Sequence, residues 1–302
     1  MPSKKTAETA ETAETKGDTT FLAPAQLMKK HGLSAKKSFG QCFLHDRRVV
    51  QRIVEVVDAQ PSDLVVEIGA GLGALTSLLA QRAGSLVAIE RDRDLVPILR
   101  AEFEGQDHVT IVEDDALSFD YSQFSPPAKV VGNLPYNISS PLLFRLLEQR
   151  RGVQSMTIML QRELAERLNA APGSRLYGAP TLTVANLAEL RICFHVRKGA
   201  FVPAPAVDST VLKLIPRPLP LSSRPELFRQ VVRAAFSMRR KMVKRALSAT
   251  FAPLFVERAL NAAGISKDVR AETISLEGFI ALTDALALEI AAPPEDINAG
   301  AG

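Results

Sequence analysis

The stretch from Val130 to Asn137, Val-Val-Gly-Asn-Leu-Pro-Tyr-Asn, sets an amide, a fixed backbone and an aromatic ring side by side. Asn133 offers a side-chain carbonyl that accepts hydrogen bonds. Pro135 has no N–H and a locked φ, so the chain turns stiffly there. Tyr136 adds a flat face. These groups suit a planar substrate that carries an amine: the Asn133 and Leu134 carbonyls take its N–H groups while the ring stacks on Tyr136. Adenine is the natural candidate. A strand ending in an ordinary turn uses the same residue types, and the tetrapeptide alone does not decide between the two.

The elements that must position these residues read as a strand–helix alternation. Asp63 to Gly73, Asp-Leu-Val-Val-Glu-Ile-Gly-Ala-Gly-Leu-Gly, is a buried strand running into glycines 69, 71 and 73. Leu72, Leu75, Leu78 and Leu79 follow at helical spacing, which makes the opening unit of a doubly wound sheet. The glycines follow G-x-G-x-G, not the G-x-G-x-x-G of a dinucleotide site. Glu67 just before the turn would repel a pyrophosphate and favours a ligand with positive charge. S-adenosylmethionine, with an ammonium and a sulfonium, fits. The strand Ser85 to Ile89 ends in Glu90, close to the spacing at which an acid takes ribose hydroxyls. The strand His108 to Val112 leads to Asp115, placed to accept from an adenine amine. Acids are also common turn residues, yet three successive strand ends carrying Glu67, Glu90 and Asp115 favour a cofactor site. A fourth strand, Lys129 to Val131, delivers Asn133 to the same edge.

The alternation continues with a helix from Ser139 to Gln149, a strand from Val153 to Leu160 and a helix from Gln161 to Asn169. A sixth strand, Leu190 to Val196, precedes the proline-rich loop 199–209 and a strand from Thr210 to Ile215. Phe201 in that loop is either a loop anchor or a second stacking face opposite Tyr136. Prolines 216, 218 and 220 mark a boundary, beyond which only helices are expected. There Leu227, Val231, Ala235, Met238 and Met242 recur at helical spacing, while Arg229, Arg233, Arg240 and Lys244 form an opposed basic stripe. With Arg239, Lys241 and Arg245 this is the densest positive surface, suited to phosphates. Lys36 and Lys37 are a smaller basic pair, either solvated or phosphate-binding.

The 302 residues exceed the commonest domain size, and 46% are apolar, enough for a large domain plus a smaller one. The expected division is a tail over 1–32, an α/β domain over 33–217, a helical domain over 218–291 and a second tail over 292–302. The Thr-Ala-Glu repeat between Thr6 and Glu14 cannot bury enough surface to order itself, and its acids argue against a mitochondrial presequence. The formal charge is only +4, so a nucleic-acid partner must be met by a local patch. Cys42 and Cys193, the only cysteines, lack metal-ligand spacing; a reducing cytoplasm, no metal and no membrane span are expected.

Taken in order, Phe39-Gly-Gln-Cys-Phe-Leu44, Glu67 to Gly73, Glu90, Asp115-Ala-Leu117, Asn133-Leu-Pro-Tyr136, Phe201 to Ser209 and Phe236-Ser-Met-Arg-Arg-Lys241 resemble the ribosomal RNA adenine N6-dimethyltransferases. The resemblance runs from about Leu33 to Leu286 and is strongest to the small-subunit branch, associated with kasugamycin sensitivity. It implies a class I S-adenosylmethionine methyltransferase: a Rossmann-like seven-stranded sheet, last strand antiparallel, with a small all-helical C-terminal domain. It implies dimethylation of two adjacent adenines in the 3′-terminal hairpin of 16S rRNA on the small ribosomal subunit; separately from the resemblance, a monomer is expected. Cofactor contacts carry over to Cys42, Leu44, Gly69, Glu90, Asp115 and Asn133, beside Glu67 and Gly71. Departures are Cys42 where His or Asn is usual, Phe39 for Leu, and Ala70 and Ala204 for Pro. A related large-subunit methyltransferase conferring macrolide resistance shares most of these motifs, but the basic run from Phe236 to Arg245 favours the small-subunit branch. A non-catalytic RNA-binding factor on the same fold is the alternative of another class, against which Glu90, Asp115 and Asn133 are all present.

Overall fold

The computed structural model describes residues 24–36, 39–238 and 240–292. Its chain opens with α1 (Pro24–Lys30), β1 (Phe43–Leu44) and α2 (Arg47–Val57). The stretch expected as a tail up to residue 32 is therefore helical from Pro24: Leu27 is buried with Leu72 and Leu95, an apolar anchor that the polar composition around it obscures. The α2 helix starts at Asp46, whose carboxylate accepts from the Arg48 and Val49 N–H groups, and it buries Val50, Ile53, Val54 and Val57.

The alternation then runs β2 (Leu64–Ile68), α3 (Ala74–Leu79), β3 (Ser85–Glu90), α4 (Val96–Glu102), β4 (Val109–Glu113), β5 (Ala128–Asn133), α5 (Ser139–Glu148), β6 (Val153–Gln161) and α6 (Arg162–Leu168). It closes with α7 (Ala179–Leu187), β7 (Ala188–Val196), β8 (Phe201–Val202) and β9 (Ser209–Pro216). Seven strands form one sheet in the order β4-β3-β2-β5-β6-β9-β7, and β1 and β8 pair apart from it. The strands from β2 to β6 are parallel, while β9, last in the chain, lies antiparallel between β6 and β7. Because helices cover both faces, the central strands read as unbroken apolar runs. Val65 faces one core with Val50, Leu75 and Leu79, and its neighbour Val66 faces the other with Leu142, Leu143 and Leu146. The chain steps outward from β2 through β3 to β4, then returns to place β5 on the other side of β2. That reversal opens a crevice beyond the carboxyl ends of β2 and β5.

The remaining described α-helices are α8 (Pro225–Ser237), α9 (Val243–Leu247), α10 (Pro253–Ala262) and α11 (Leu276–Ala291). They share a third core, built on Phe228, Val231, Leu247, Val256, Leu260, Phe279 and Leu282. The continuous helix expected through Lys244 is broken after Ser237, and Met238 and Met242 are 39% and 50% exposed instead of lying on the apolar face. The break lets Val243 donate its N–H to the Val269 carbonyl at 2.8 Å and turn into the core. Among the described residues no helix is long and apolar enough to cross a membrane, and no group of three potential metal ligands occurs.

Candidate active site

The crevice is built first by the glycine turn after β2. Gly69, Gly71 and Gly73 have φ of +71, +60 and +79°, a region that side chains resist, and a Cβ on Gly71 would meet the Phe43 ring at 3.3 Å. The turn presents the Gly71 N–H to Glu90 Oε2 at 2.8 Å, while the Asp92 N–H donates to Glu90 Oε1 at 2.8 Å. Glu90 is thereby held at the end of β3 with lone pairs to spare. Burial pushes its pKa above the ordinary carboxylate range despite these donors.

Glu67 lies on the neighbouring strand, β2. It is 1% exposed, and burial, with the Glu90 charge adding, pushes its pKa up to about 8. Its Oε2 has no hydrogen-bond partner among the described residues. At the third strand end Asp115 accepts the Leu117 N–H at 2.9 Å and faces Arg91 Nη1 at 3.1 Å.

Asn133 is the last residue of β5. Its Nδ2 donates to the Cys42 carbonyl at 3.0 Å. Since a carbonyl only accepts, this contact fixes which end of the amide is which and leaves Oδ1 as an acceptor with no partner among the described residues. The following turn is stiff: the Pro135 carbonyl accepts from the Ile138 N–H at 3.1 Å and from Ser139 Oγ at 2.9 Å. The Leu134 N–H donates to the Met159 carbonyl at 3.3 Å, and the Leu134 carbonyl has no partner among the described residues. The Tyr136 hydroxyl meets buried Ser209 Oγ at 3.0 Å, which holds the ring from β9.

One cavity gathers these groups. Cys42, Leu44, Glu67, Gly69, Gly71, Glu90, Asp115, Asn133, Leu134, Pro135 and Tyr136 all line it. A cofactor bearing a ribose and a cation suits the donor set: Glu90 offers acceptors at the strand end, and Glu67 holds a buried oxygen that hydrogen-bonds to none of the described residues.

Phe201 does not join them. The second stacking face expected of it is corrected by its placement: pairing of β8 with β1 sets Phe201 opposite Leu44, and its side chain, 3% exposed, packs in the core around Leu44 and Val211. Burial of that ring outweighs display in the cavity.

The basic set divides. Lys36 is a correction: its ammonium pairs with Asp92 at 2.5 Å and Asp94 at 2.7 Å instead of standing free for phosphate. Arg229 pairs with Glu226, and Lys244 pairs with Glu257 at 2.8 Å. Arg233, Arg240, Lys241 and Arg245 are exposed without an ion pair among the described residues. Lys37 and Arg239 lie outside the described residues. Sequence reasoning missed Gln41, Arg91 and Asp92. Only Asp92 left a signal, since an Asp just past a strand end commonly accepts the N–H two residues on, as it does here from Asp94 at 3.1 Å.

The model of the family described as ribosomal RNA adenine dimethylase matches residues 32–288. The ribosomal RNA small subunit methyltransferase A of Marinobacter nauticus is 42% identical over 265 residues, covering 86% of this chain and 95% of that protein. The protein of the same name from Magnetococcus marinus is 43% identical over 264 residues, covering 85% and 94%. Among solved structures, the 23S rRNA methyltransferase ErmE superposes with a TM-score of 0.66 at 28% identity, covering 81% of this chain and 99% of that one. With the cavity at the sheet's reversal point and these matches along nearly all of the described residues, the chain belongs to the ribosomal RNA adenine dimethylase family.

Proposed function

We propose that this chain methylates N6 of two adjacent adenines in the 3′-terminal hairpin of 16S rRNA, giving N6,N6-dimethyladenines during small-subunit biogenesis in the cytoplasm. The observation that carries the reading is the Asn133 amide, locked by Cys42 with its carbonyl unpartnered among the described residues, at the end of a strand-edge row that includes Glu67, Glu90 and Asp115. The identity of 42–43% to proteins named as small-subunit enzymes, against 28% to a 23S enzyme, favours the small-subunit target.

S-adenosylmethionine, the methyl donor of this family, supplies an activated methyl group when bound. Glu90 would take the cofactor's ribose hydroxyls and Asp115 would accept from its base, while Glu67, protonated near neutral pH in the ligand-free fold, would hold the cationic end once the neighbouring positive charge favours its carboxylate. An exocyclic adenine amine is a poor nucleophile because its lone pair is delocalised into the ring. Asn133 Oδ1 and the Leu134 carbonyl take the two N–H groups, so that the lone pair turns out of the ring plane. Tyr136, steadied by Ser209, supplies a stacking face for the flipped base. Rate then comes from position and from acceptors set in advance.

The test is methyl transfer from labelled S-adenosylmethionine to unmethylated small subunits, with large subunits in parallel, followed by mapping. Dimethyladenine at two adjacent positions in the small-subunit hairpin is expected. Label confined to large-subunit RNA moves the chain to the resistance-type enzymes. Asn133→Ala is expected to lower kcat by about 100- to 1,000-fold, the usual size for loss of one oriented polar group; unchanged turnover with cofactor bound overturns the assigned role.

A further inference from the structure

The buried carboxylate of Asp92 belongs to no step above, yet four groups converge on it. It is 2% exposed, and its Oδ1 accepts from Lys36 Nζ at 2.5 Å while its Oδ2 accepts from Gln41 Nε2 at 2.7 Å. Its own N–H holds Glu90 Oε1 at 2.8 Å, and the Asp94 N–H closes the turn at 3.1 Å. Lys36 also reaches Asp94 Oδ2 at 2.7 Å, and its N–H donates to Gln41 Oε1 at 2.8 Å. The Lys36 ammonium and the Arg91 guanidinium both lie near the Phe39 ring, at 5.5 and 5.6 Å from its centre.

The segment so tied supplies Phe39, Gln41, Cys42 and Phe43 to the cavity wall, and the Cys42 carbonyl is the group that orients Asn133. We propose that Lys36 is a positioning residue for the cofactor: through Asp92 it fastens the cavity's outer wall to the turn that holds Glu90. The inference rests on reading the cavity as an S-adenosylmethionine site. Without the ammonium, Glu90, Asp92 and Asp94 crowd three carboxylates within five residues, and Asp92 is left as a buried charge with only amide donors. The wall and the Glu90 turn then separate part of the time, and apparent affinity falls by the fraction of molecules in which they remain joined.

The experiment measures S-adenosylhomocysteine binding by calorimetry for the full-length wild type, Lys36→Ala, Lys36→Arg and Asp92→Asn, alongside steady-state methylation and small-subunit binding. Lys36→Ala is expected to weaken S-adenosylhomocysteine by about tenfold and to raise the cofactor KM by the same factor, with kcat and small-subunit affinity held. Lys36→Arg restores most of the affinity, and Asp92→Asn, which keeps the shape but removes the charge that holds the ammonium, reproduces the loss. Unchanged S-adenosylhomocysteine affinity in both Lys36→Ala and Asp92→Asn overturns the proposal, and loss of small-subunit affinity alone returns Lys36 to the RNA contacts. If the wild type itself does not bind S-adenosylhomocysteine, the cofactor reading of the cavity fails first and takes this inference with it.

Discussion

Glu67 is the residue whose protonation the fold most constrains. Burial raises its pKa from 4.5 to about 8, so between those values the folded chain keeps a proton that the unfolded chain has released. Stability linked to this group is therefore full below about pH 4.5, declines as pH rises towards 8, and is flat beyond. We expect the thermal midpoint of the ligand-free protein to fall over that window and Glu67→Gln to flatten the slope, read by calorimetry across pH. A slope identical in the two proteins would place the titration elsewhere. At this scale the chemistry-bearing types were legible: Glu67, Glu90, Asp115 and Asn133 stand at strand ends, where a pattern of apolar runs locates them. Pairings between distant residues were not. Lys36 and Asp92 are 56 positions apart, and nothing local says that the ammonium has a buried partner. Phe201 escaped for a related reason, because its loop position suggested display while the β1–β8 pairing commits it to the core.

Among the strands, β5 carries a tight geometric demand at the edge of the cavity. A Cβ on Gly132 would stand 2.7 Å from the Ile68 carbonyl oxygen of β2, an atom that cannot swing aside. Gly132→Ala should cost about 1–3 kcal/mol in chemical denaturation and displace Asn133, cutting methyl transfer while the far edge of the sheet stays intact. The sheet itself was readable because strands buried on both faces leave unbroken Val, Ile and Leu runs. The α7 helix was not, since Ala179–Leu187 has no charged residue to mark a solvent face and so shows no helical period. The stretch from Glu226 to Lys244 shows the opposite failure: its period continues through a point where the helix stops, because a backbone bond to Val269 wins over one more turn. Arg240, Lys241 and Arg245, exposed at and after that break, are the basic residues we expect to meet RNA phosphates. Replacing all three with Ala should reduce the slope of log affinity for the small subunit against log salt by about two to three, roughly one unit or slightly less per lost contact.

At the scale of the whole molecule, the helical region is joined to the sheet by more than a linker. Tyr177 and Leu182 belong to the third core, and the Tyr177 hydroxyl donates to the Ile274 carbonyl at 2.9 Å. The proline-marked boundary is itself pinned, with the Ser222 N–H on Asn186 Oδ1 at 2.8 Å and the Leu221 N–H on the Asn186 carbonyl at 3.0 Å. A fragment ending at residue 217 should consequently expose apolar surface, seen as strong binding of a hydrophobic dye and loss of solubility, and Tyr177→Phe in the intact chain should cost about 1 kcal/mol. The prolines announced where the architecture changes, whereas the pinning rests on a buried Asn that composition does not distinguish. The short helix α1 carries a practical corollary. Pro24 lines the cavity and Leu27 is buried beside it, so the chain enters the described structure at the rim of the ligand site. A purification handle or fluorophore attached just ahead of Pro24 would sit at that mouth and compete with whatever enters it, while one placed after α11 would leave the rim clear.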